Sequence, residues 1–428
     1  MIETCIKLFK NKDTRNKILF TLAMLFIYRL GAAIPVPGVN LDAINTGIAD
    51  SGVLSMMNLL GGGALQQFSI FAMGVGPYIT ASIVIQLLSM DVIPALTEMA
   101  KSGQKGRQQM DKITRYLAVI LAFVQSYFMV WGFDVGNNIL EVSSLSNYLY
   151  TATILTAGTM FLLWIGDRIS TKGVGNGVSI IIFAGIVSGL PTSFTQTYQI
   201  LVDTSSQTAM VNGLIQYGIY VIMYLVIILL VVFMQMALRK IPIQYTSSGA
   251  TKGKTDVSFL PFKINSASVI PVIFAQSIMQ IPAIASFFFP NNSFSSAVGS
   301  VLDLTKPLGL LLYAVFIVFF TFFYTNLQVD PEKVAENLGK GGAYIPGIRP
   351  GKETKEHISK VLNRITVLGA AGLCFLAILP YLLTMFTSLP SSIALGGTGI
   401  IIVVGVAMET TRQLKGQLTQ KSYRGFLR

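Results

Sequence analysis

The most obvious shortage in this sequence is charge. Only 12% of the 428 residues are Asp, Glu, Lys or Arg, whereas about 25% is usual in soluble globular proteins. Hydrophobic residues make up 52% of the chain, and the mean hydropathy is +0.64. This composition excludes an ordinary soluble domain and predicts an integral membrane protein.

Groups that carry acid–base or metal chemistry are also scarce. His357 is the only histidine, and it lies in a predicted cytosolic loop. The acidic residues fall in loops or at the ends of apolar stretches, as Asp167 and Glu409 do. Proton- or sodium-coupled carriers usually hold a carboxylate within the membrane. We therefore predict no catalytic residue, no metal site, no cofactor and no enzymatic activity, and a coupled carrier is disfavoured.

Cysteine is rare as well. Cys5 precedes the first apolar run and Cys374 lies within a later one, so a disulfide framework is excluded and both are predicted to be free thiols. Pro35 and Pro37 follow the first apolar run, 18–34, where a secretory signal peptide would have a small-residue cleavage site. The run is therefore predicted to be retained as the first membrane span.

What the chain does contain is long apolar runs separated by basic segments. When these runs are counted as spans, all 31 Lys and Arg except Lys306 and Arg29 fall on one side of the membrane. They occupy residues 7–17, 101–115, 168–172, 239–263, 333–364 and 412–428. Basic loops remain cytosolic, so this distribution predicts a multi-pass protein of the inner, or cytoplasmic, membrane with both termini in the cytosol. The net charge of +12 is dispersed over these segments, which argues against a nucleic-acid-binding face.

Ten stretches approach the roughly 20 apolar residues that a helix needs to cross the hydrocarbon core. They are residues 18–37, 68–90, 115–133, 150–166, 177–190, 213–237, 269–289, 308–327, 364–386 and 396–411.

Irregular spans recur at matching positions of two halves of five. The fifth and tenth spans are short, and a cluster of glycines stands at the start of each, at 173–177 and 396–399. The second span is interrupted by glycine and proline at 74–77, and the seventh by Pro271 and Pro282. Such a pattern indicates an inverted repeat with a functional site at its interface.

Three connecting segments are candidates for function. The predicted cytosolic connections 238–268 and 328–363 are too long for turns, and long ordered loops usually bind a partner. The Ser-, Gly- and Lys-rich run at 247–254 leaves a flexible linker as the alternative for the first of them. The end of the external segment 40–67 is apolar and rich in small residues, which is consistent with a short re-entrant half-helix that fills a cavity.

Two local features each allow two interpretations. Arg29 lies about 16 Å beyond Ile18 along a helix, deep in the bilayer, where an arginine needs a carbonyl, a carboxylate or water. It either braces neighbouring backbone or lines a pore. The glycine run at 173–177 lacks the full spacing and the preceding strand of a nucleotide-binding loop, so it is predicted to permit close packing, as are Gly185 and Gly189.

Five separated motifs carry a family resemblance. They are FIYRLGAAIPVPG at 26–38, GGAL at 62–65, GPYITASIVIQ at 76–86, GVGNGVSIIIFAG at 173–185 and YIPGIRPG at 344–351. Together they resemble the SecY family, the channel subunit of the bacterial protein translocase. The motifs occur in order through essentially the whole chain.

The resemblance implies an all-α polytopic membrane protein, with ten transmembrane helices in two inverted, pseudo-symmetric halves of five around a central hourglass pore. It implies a passive channel for secretion of unfolded polypeptides and for lateral insertion of membrane proteins, driven by a partner motor ATPase or the ribosome. The lateral opening would separate the second and third spans from the seventh and eighth. The implied partners are SecE-like and SecG-like small subunits, the SecA motor, the ribosome, secretory and membrane-protein substrates and the lipid bilayer, with no nucleic-acid binding beyond ribosome contact.

In the family, a ring of bulky aliphatic residues seals the waist of the pore. Placement by motif assigns this ring to Val75, Ile79, Val178, Ile182, Ile273 and Ile402. The first two and the next two are i,i+4 pairs, so each pair presents two side chains on one helical face. A narrow apolar constriction excludes ions by dewetting, yet aliphatic side chains can part around a passing chain. The alternative is plain packing between helices.

The resemblance assigns three further groups of residues. The plug, within 56–68, includes Met56, Met57, Asn58, Leu59, Leu60, Gly61, Gly62, Gly63, Ala64 and Leu65. The lateral gate comprises Thr80, Gln86, Gln125, Asn265 and Ile281, where polar side chains can exchange hydrogen bonds when the seam opens. Docking of the motor or ribosome is assigned to Arg239, Lys240 and Arg349. The chain departs from the family in lacking a strongly basic tip on its first long loop and in having two valines in the ring.

The expected division of the chain follows from these assignments. It comprises an N-terminal half with the plug at 1–190, an external connection and sixth span at 191–237, the first long loop at 238–268, two spans at 269–327, the second long loop at 328–363, and two spans with a cytosolic tail at 364–428. Two other functions compete with the channel. One is a secondary transporter for a small solute, and the other is a membrane insertase that works without a motor.

Overall fold

The computed structural model describes residues 11–40, 58, 61–90, 92–137, 139–140, 142–202, 207–245, 258–286, 301–302, 304, 306–386 and 391–425. A helix overlaps each of the ten predicted spans. In chain order the elements are α1 (Lys12–Ala32), α2 (Gly76–Leu88), α3 (Pro94–Lys101), α4 (Gln104–Asn137), α5 (Leu145–Lys172), α6 (Gly177–Leu201), α7 (Gln207–Met236), β1 (Leu238–Tyr245), β2 (Ser258–Lys263), α8 (Ile270–Ser286), α9 (Pro307–Gln328), α10 (Pro331–Lys340), β3 (Ala343–Tyr344), α11 (Lys352–Phe386) and α12 (Ser391–Gly425).

Among the described residues, six helices are long and apolar enough to cross a membrane. These are α4, α5, α6, α7, α9 and α11, and the shorter apolar helices α2 and α8 accompany them. The protein is therefore a multi-pass membrane protein built mainly of helices, while the count of ten spans stays a prediction.

Local sequence signals fix where several helices begin. The Ser144 hydroxyl accepts a hydrogen bond from the Asn147 amide at the start of α5, and the Asn176 side chain accepts one from the Ser179 amide at the start of α6. Pro77 is in the first turn of α2, where its missing N–H is not needed. These caps satisfy amides that have no intrahelical partner.

Helix neighbours repeat between the two halves of the chain. In the first half α2 packs on α4, α4 on α5 and α5 on α6, and in the second half α8 packs on α9, α9 on α11 and α11 on α12. Helix α1 contacts α5 and α6, and α7 likewise contacts α11 and α12. The halves meet where α2 contacts α8 and where α6 contacts α12. This repetition is what an internal repeat requires, and the inverted relation stays a prediction.

The second predicted span, 68–90, is not one continuous helix. Residues 61–75 form successive turns, with Phe68 and Gly74 at positive φ, and the helix begins only at Gly76. The interruption predicted at 74–77 is therefore confirmed. The half-helix predicted for the end of segment 40–67 is wrong for residues 61–65, which are turns, while residues 41–57 lie outside the described part.

Three other expectations about span shape were wrong. Pro271 stands in the first turn of α8 and does not interrupt it, whereas Pro282 lies inside the helix. The fifth span is not short, because α6 continues through Pro191 to Leu201. The tenth span is not short either, since α12 begins before the glycines at 396–399, which lie within it. A glycine inside an apolar helix costs little when neighbouring helices pack against it.

The two long connections share one small sheet. Strand β1, from the first connection, pairs antiparallel with β2 and also with β3 of the second connection, in the order β2-β1-β3. Beneath the sheet lies a separate apolar cluster that includes Ile241, Phe262 and Ile358. The described parts of both connections are therefore ordered, and residues 246–257 lie outside the described part.

Candidate pore and gate

The six predicted ring residues come from four elements and share one apolar cluster. Val75 precedes α2, Ile79 lies on α2, Val178 and Ile182 on α6, Ile273 on α8, and Ile402 on α12. Five of them are buried members of the cluster, and Val178 packs against it while half-buried. The cluster also contains many other buried residues, so membership alone does not separate a pore seal from ordinary packing.

A narrow cavity distinguishes some ring residues from the rest. Val75, Ile79 and Ile182 line it together with Gly61 of the predicted plug. Ser277 and Gln280 of α8 line it as well. The cavity therefore lies between the two halves of the chain, next to the plug. Val178 is not among the residues that line this cavity. It lies next to α5 instead, because a Cβ added at Gly166 would be 3.5 Å from the Val178 Cγ2.

Backbone hydrogen bonds hold the described part of the predicted plug and the residues that follow it. The Val36 amide donates to the Phe68 carbonyl at 2.9 Å, and the Ile70 amide donates to the Ile34 carbonyl at 3.1 Å. These bonds tie the plug to the segment that follows α1. Ala64 and Leu65 are buried, and Asn58 accepts a hydrogen bond from the Gln66 amide at 2.9 Å. Met56, Met57, Leu59 and Leu60 lie outside the described residues.

Arg29 braces backbone, which was one of its two predicted roles. Its Nη1 donates to the Gly62 carbonyl at 2.8 Å. It stands in the last turn of α1, where a cation interacts favourably with the helix dipole. The helix ends at Ala32, whereas the predicted span continued to 37, and the depth of Arg29 in the membrane stays a prediction.

Three of the five predicted gate residues lie around one small cavity between α2, α4 and α8. Thr80, Gln125 and Ile281 line it, together with Ser277 and Gln280. The Gln280 Nε2 atom is buried and has no hydrogen-bond partner among the described residues. Polar groups from both halves therefore face each other across this seam.

The other two predicted gate residues are not among the residues lining that cavity. Gln86 donates to the Ser82 hydroxyl of its own helix at 3.0 Å. Asn265 donates to the Ser268 carbonyl at 2.9 Å and lies close to Gly369 of α11. Their assignment to the gate stays a prediction.

The predicted docking residues lie on or beside the small sheet. Arg239 and Lys240 are exposed on β1. Arg349 follows β3, and its side chain is 88% exposed, with its guanidinium 4.0 Å from the Glu353 carboxylate. The backbone at Arg349 is fixed on both sides, because its amide donates to Glu353 and its carbonyl accepts from the Thr354 hydroxyl at 2.8 Å. The loop is thus held while the charged end is available to a partner.

The glycine run between α5 and α6 does permit close packing. A Cβ at Gly177 would lie 1.8 Å from the Gly166 carbonyl oxygen, and one at Gly173 would lie 2.5 Å from the Thr21 hydroxyl. A Cβ added at Gly185 would lie 3.2 Å from the Gly62 Cα of the predicted plug, whereas one added at Gly189 would have open space. The prediction of close packing is confirmed for Gly173, Gly177 and Gly185 and is wrong for Gly189.

Comparison with known proteins decides the family. The SecY family model matches residues 69–411. The protein translocase subunit SecY of Staphylococcus carnosus (strain TM300) is 47% identical over 430 residues, covering 100% of this chain and 99% of that protein. The chain belongs to the SecY family. The family resemblance predicted from the five motifs is therefore confirmed.

Solved structures agree on the fold. One SecY structure, described as showing that its plug domain stabilises the closed state of the translocation channel and maintains a membrane seal, gives a TM-score of 0.67 at 21% identity, covering 94% of this chain and 91% of that chain. Sec61 in the canine ribosome–channel complex gives a TM-score of 0.61 at 19% identity, with the same coverage. The chain has the SecY and Sec61 channel fold, which is built mainly of helices.

Three residues of this SecY family site did not emerge from the sequence. Ser277 and Gln280 line both cavities, and the Tyr28 hydroxyl donates to the Gly61 carbonyl at 3.1 Å. Ser277 and Gln280 are spaced i,i+3 in α8, and that pattern is a usable signal for a polar face. Tyr28 carries no such signal, because its partner is 33 residues away.

Proposed function

We propose that this chain forms the protein-conducting channel of a translocase in the bacterial cytoplasmic membrane. It secretes unfolded polypeptides across the membrane and inserts membrane proteins sideways into lipid. The observation that carries the proposal is the meeting of Val75, Ile79 and Ile182 with Gly61 around a cavity between the two halves of a SecY family protein. An aliphatic constriction next to a segment that can move aside is suited to a pore that is closed until a polypeptide enters.

The seam between α2, α4 and α8 is the proposed lateral gate. Thr80, Gln125 and Gln280 give it polar groups, and an apolar signal sequence can replace those contacts on the lipid side. Gln280 is buried, and its Nε2 atom has no hydrogen-bond partner among the described residues. A buried polar group without a hydrogen bond destabilises a structure by about 1–3 kcal/mol. Opening this seam would remove that cost, because the group could then bond to water or to a substrate.

The proposed partners follow from the exposed cytosolic sheet and from the family. The sheet joins both long connections and presents Arg239, Lys240 and Arg349 to the cytosol, where a SecA motor or the ribosome would bind. SecE-like and SecG-like subunits would pack on the lipid-facing helices. The proposal also includes ten spans, both termini in the cytosol and the division into two halves of five.

The competing functions differ in measurable ways. The small-solute transporter is not supported, because the full-length relative is a translocase subunit. A motor-independent insertase would share the fold and would differ only in not needing ATP hydrolysis by a partner. An enzymatic role was not expected, and the family is consistent with that prediction.

Reconstitution tests the proposal. The protein is placed in liposomes with its small subunits and the motor, and a secretory reporter is added with ATP or with a non-hydrolysable analogue. We expect the reporter to become protected from protease only with ATP and the motor. A Thr80→Cys, Gln280→Cys pair joined by a short bismaleimide should block protection, and either single cysteine should not. Protection without the motor would indicate the insertase, and solute uptake without reporter protection would indicate the carrier.

A further inference from the structure

We propose that Tyr28 and Arg29 hold the plug in the closed channel and so set how strong a signal sequence must be to open it. The Tyr28 hydroxyl donates to the Gly61 carbonyl at 3.1 Å, and Arg29 Nη1 donates to the Gly62 carbonyl at 2.8 Å. We call these two hydrogen bonds the α1 clasp. The inference rests on the proposed channel function and adds two positioning residues to it.

The hydroxyl of the clasp is rigidly placed. Tyr28 is 2% exposed, and its ring stacks on Phe71 with the ring centroids 6.1 Å apart. Gly31, one turn later on α1, leaves room for the Phe71 ring, because a Cβ at Gly31 would lie 2.1 Å from Phe71 Cε2. A donor held by its own packing loses little conformational entropy when it forms its hydrogen bond.

The acceptors are equally constrained. Gly62 has φ of +69°, and a Cβ there would lie 2.5 Å from the Gly185 Cα and 2.9 Å from the Tyr28 hydroxyl. Only glycine lets the plug backbone approach α6 this closely. The carbonyls of Gly61 and Gly62 therefore face α1 with no side chain in between, and Gly61 also borders the cavity lined by Val75 and Ile79.

The clasp exists only while the plug is in place. When a polypeptide displaces the plug, both hydrogen bonds break, so the clasp favours the closed state over the open one. Only an interaction that differs between two states shifts their ratio. Removing the clasp therefore raises the open fraction and relaxes the demand on the signal sequence, while leaving the ring and the gate unchanged.

Plug position can be measured directly at Ala64, which is 1% exposed. Cys5 and Cys374 are first changed to serine, and Ala64→Cys is then labelled from outside with a membrane-impermeant maleimide. Tyr28→Phe removes one oxygen and keeps the ring, so we expect labelling to quicken by roughly threefold to tenfold. Arg29→Met removes the charged donor, for which we expect roughly tenfold to a hundredfold. Arg29→Lys is the matched control and should fall between wild type and Arg29→Met.

The same variants are then tested for export of a reporter with a defective signal sequence, at matched protein levels. We expect the variants whose Ala64→Cys is labelled faster to export more of this reporter. Unchanged labelling and unchanged selectivity in Tyr28→Phe and Arg29→Met would overturn the clasp, even if abundance fell. If Arg29→Met does not accumulate, Tyr28→Phe decides the question. Failure of the parent protein to export a reporter with a normal signal would instead overturn the channel function.

Discussion

In the proposed channel, single side chains at the waist decide whether water enters. Ile182 and Ile402 are almost fully buried in the cluster where the two halves meet. An aliphatic side chain offers no hydrogen bond, so a constriction of such residues stays dry. A polar atom at the same place gives water a partner and lowers the cost of opening.

The ring can be tested by Ile402→Asn and Ile273→Asn. We expect each variant to export reporters with defective signal sequences and to leak small ions, because less signal binding is needed to shift the closed-to-open balance. A shift of about 1.4 kcal/mol changes that ratio tenfold. Export and conductance are measured in the same variants at matched protein levels.

Plain core packing predicts another outcome for these variants. A buried amide without a partner would destabilise the fold by about 1–3 kcal/mol and lower abundance. Val178→Asn is a useful comparison, because Val178 is half-buried and faces Gly166. Loss of protein with unchanged selectivity in the Ile402 and Ile273 variants would show that these residues do not form a pore seal.

Docking can be tested at Arg349. Arg349→Glu reverses a charge that is exposed on a fixed turn and can make bidentate contacts. We expect motor-driven export to fall, with membrane insertion and abundance intact. Lys340→Glu, an exposed charge reversal on α10, is the matched control. Normal export by Arg349→Glu at normal abundance would remove Arg349 from the docking surface.

At the residue scale, the sequence motifs and the placement they allow assigned a ring and a gate whose roles stay predictions, and three residues of each line a cavity. They did not predict Tyr28 or Gln280, whose importance depends on segments distant in the chain. Arg29 shows the limit clearly. Hydropathy placed it deep in the predicted span, and only the folded structure reveals its partner, the Gly62 carbonyl.

At the scale of elements, apolar runs predicted where helices lie and misjudged their ends. Hydropathy reports the apolar part of a helix, so α4, α11 and α12 extend well beyond the predicted spans on their polar sides. The turns before α2 were predicted from Gly74 and Pro77, which disfavour helix. The strands were not predicted. The alternation of buried and exposed residues along β1 is short, and the connection that contains it was analysed for its length and composition and not for strand periodicity.

Reporter fusions test the orientation of the helices. Fusions after Gly136, Leu201 and Ser391 should read as external, because the segments there carry almost no basic residues. Fusions after Gly106, Gly253 and Gly351 should read as cytosolic. An external reading at Gly253 would contradict the ten-span topology, since it would place the basic first connection outside.

At the scale of the whole molecule, the two halves of the chain meet at several helix pairs, and two of these pairs concern the proposed pore and gate. Helix α6 packs against α12 with Ile182 and Ile402 in the shared apolar cluster, and α2 packs against α8 beside the polar cavity. The first contact contributes Ile182 and Ile402 to that cluster, and the cavity at the second is lined by Thr80, Ser277 and Gln280. The polar contact is the one expected to open, because its hydrogen-bonding groups can be satisfied by water or a substrate once they separate.

The central claim is that a polypeptide passes between the halves at this waist. A secretory chain is stalled in transit by a folded tail, with a photoreactive residue placed in the channel at position 79, 182 or 402, or at the lipid-facing position 229. Leu229 is 68% exposed on α7 and provides the control. We predict adducts with the stalled chain at the three waist positions, dependent on the motor and ATP, and none at 229. Adducts at 229 as strong as those at the waist, or none at the waist, would contradict the account.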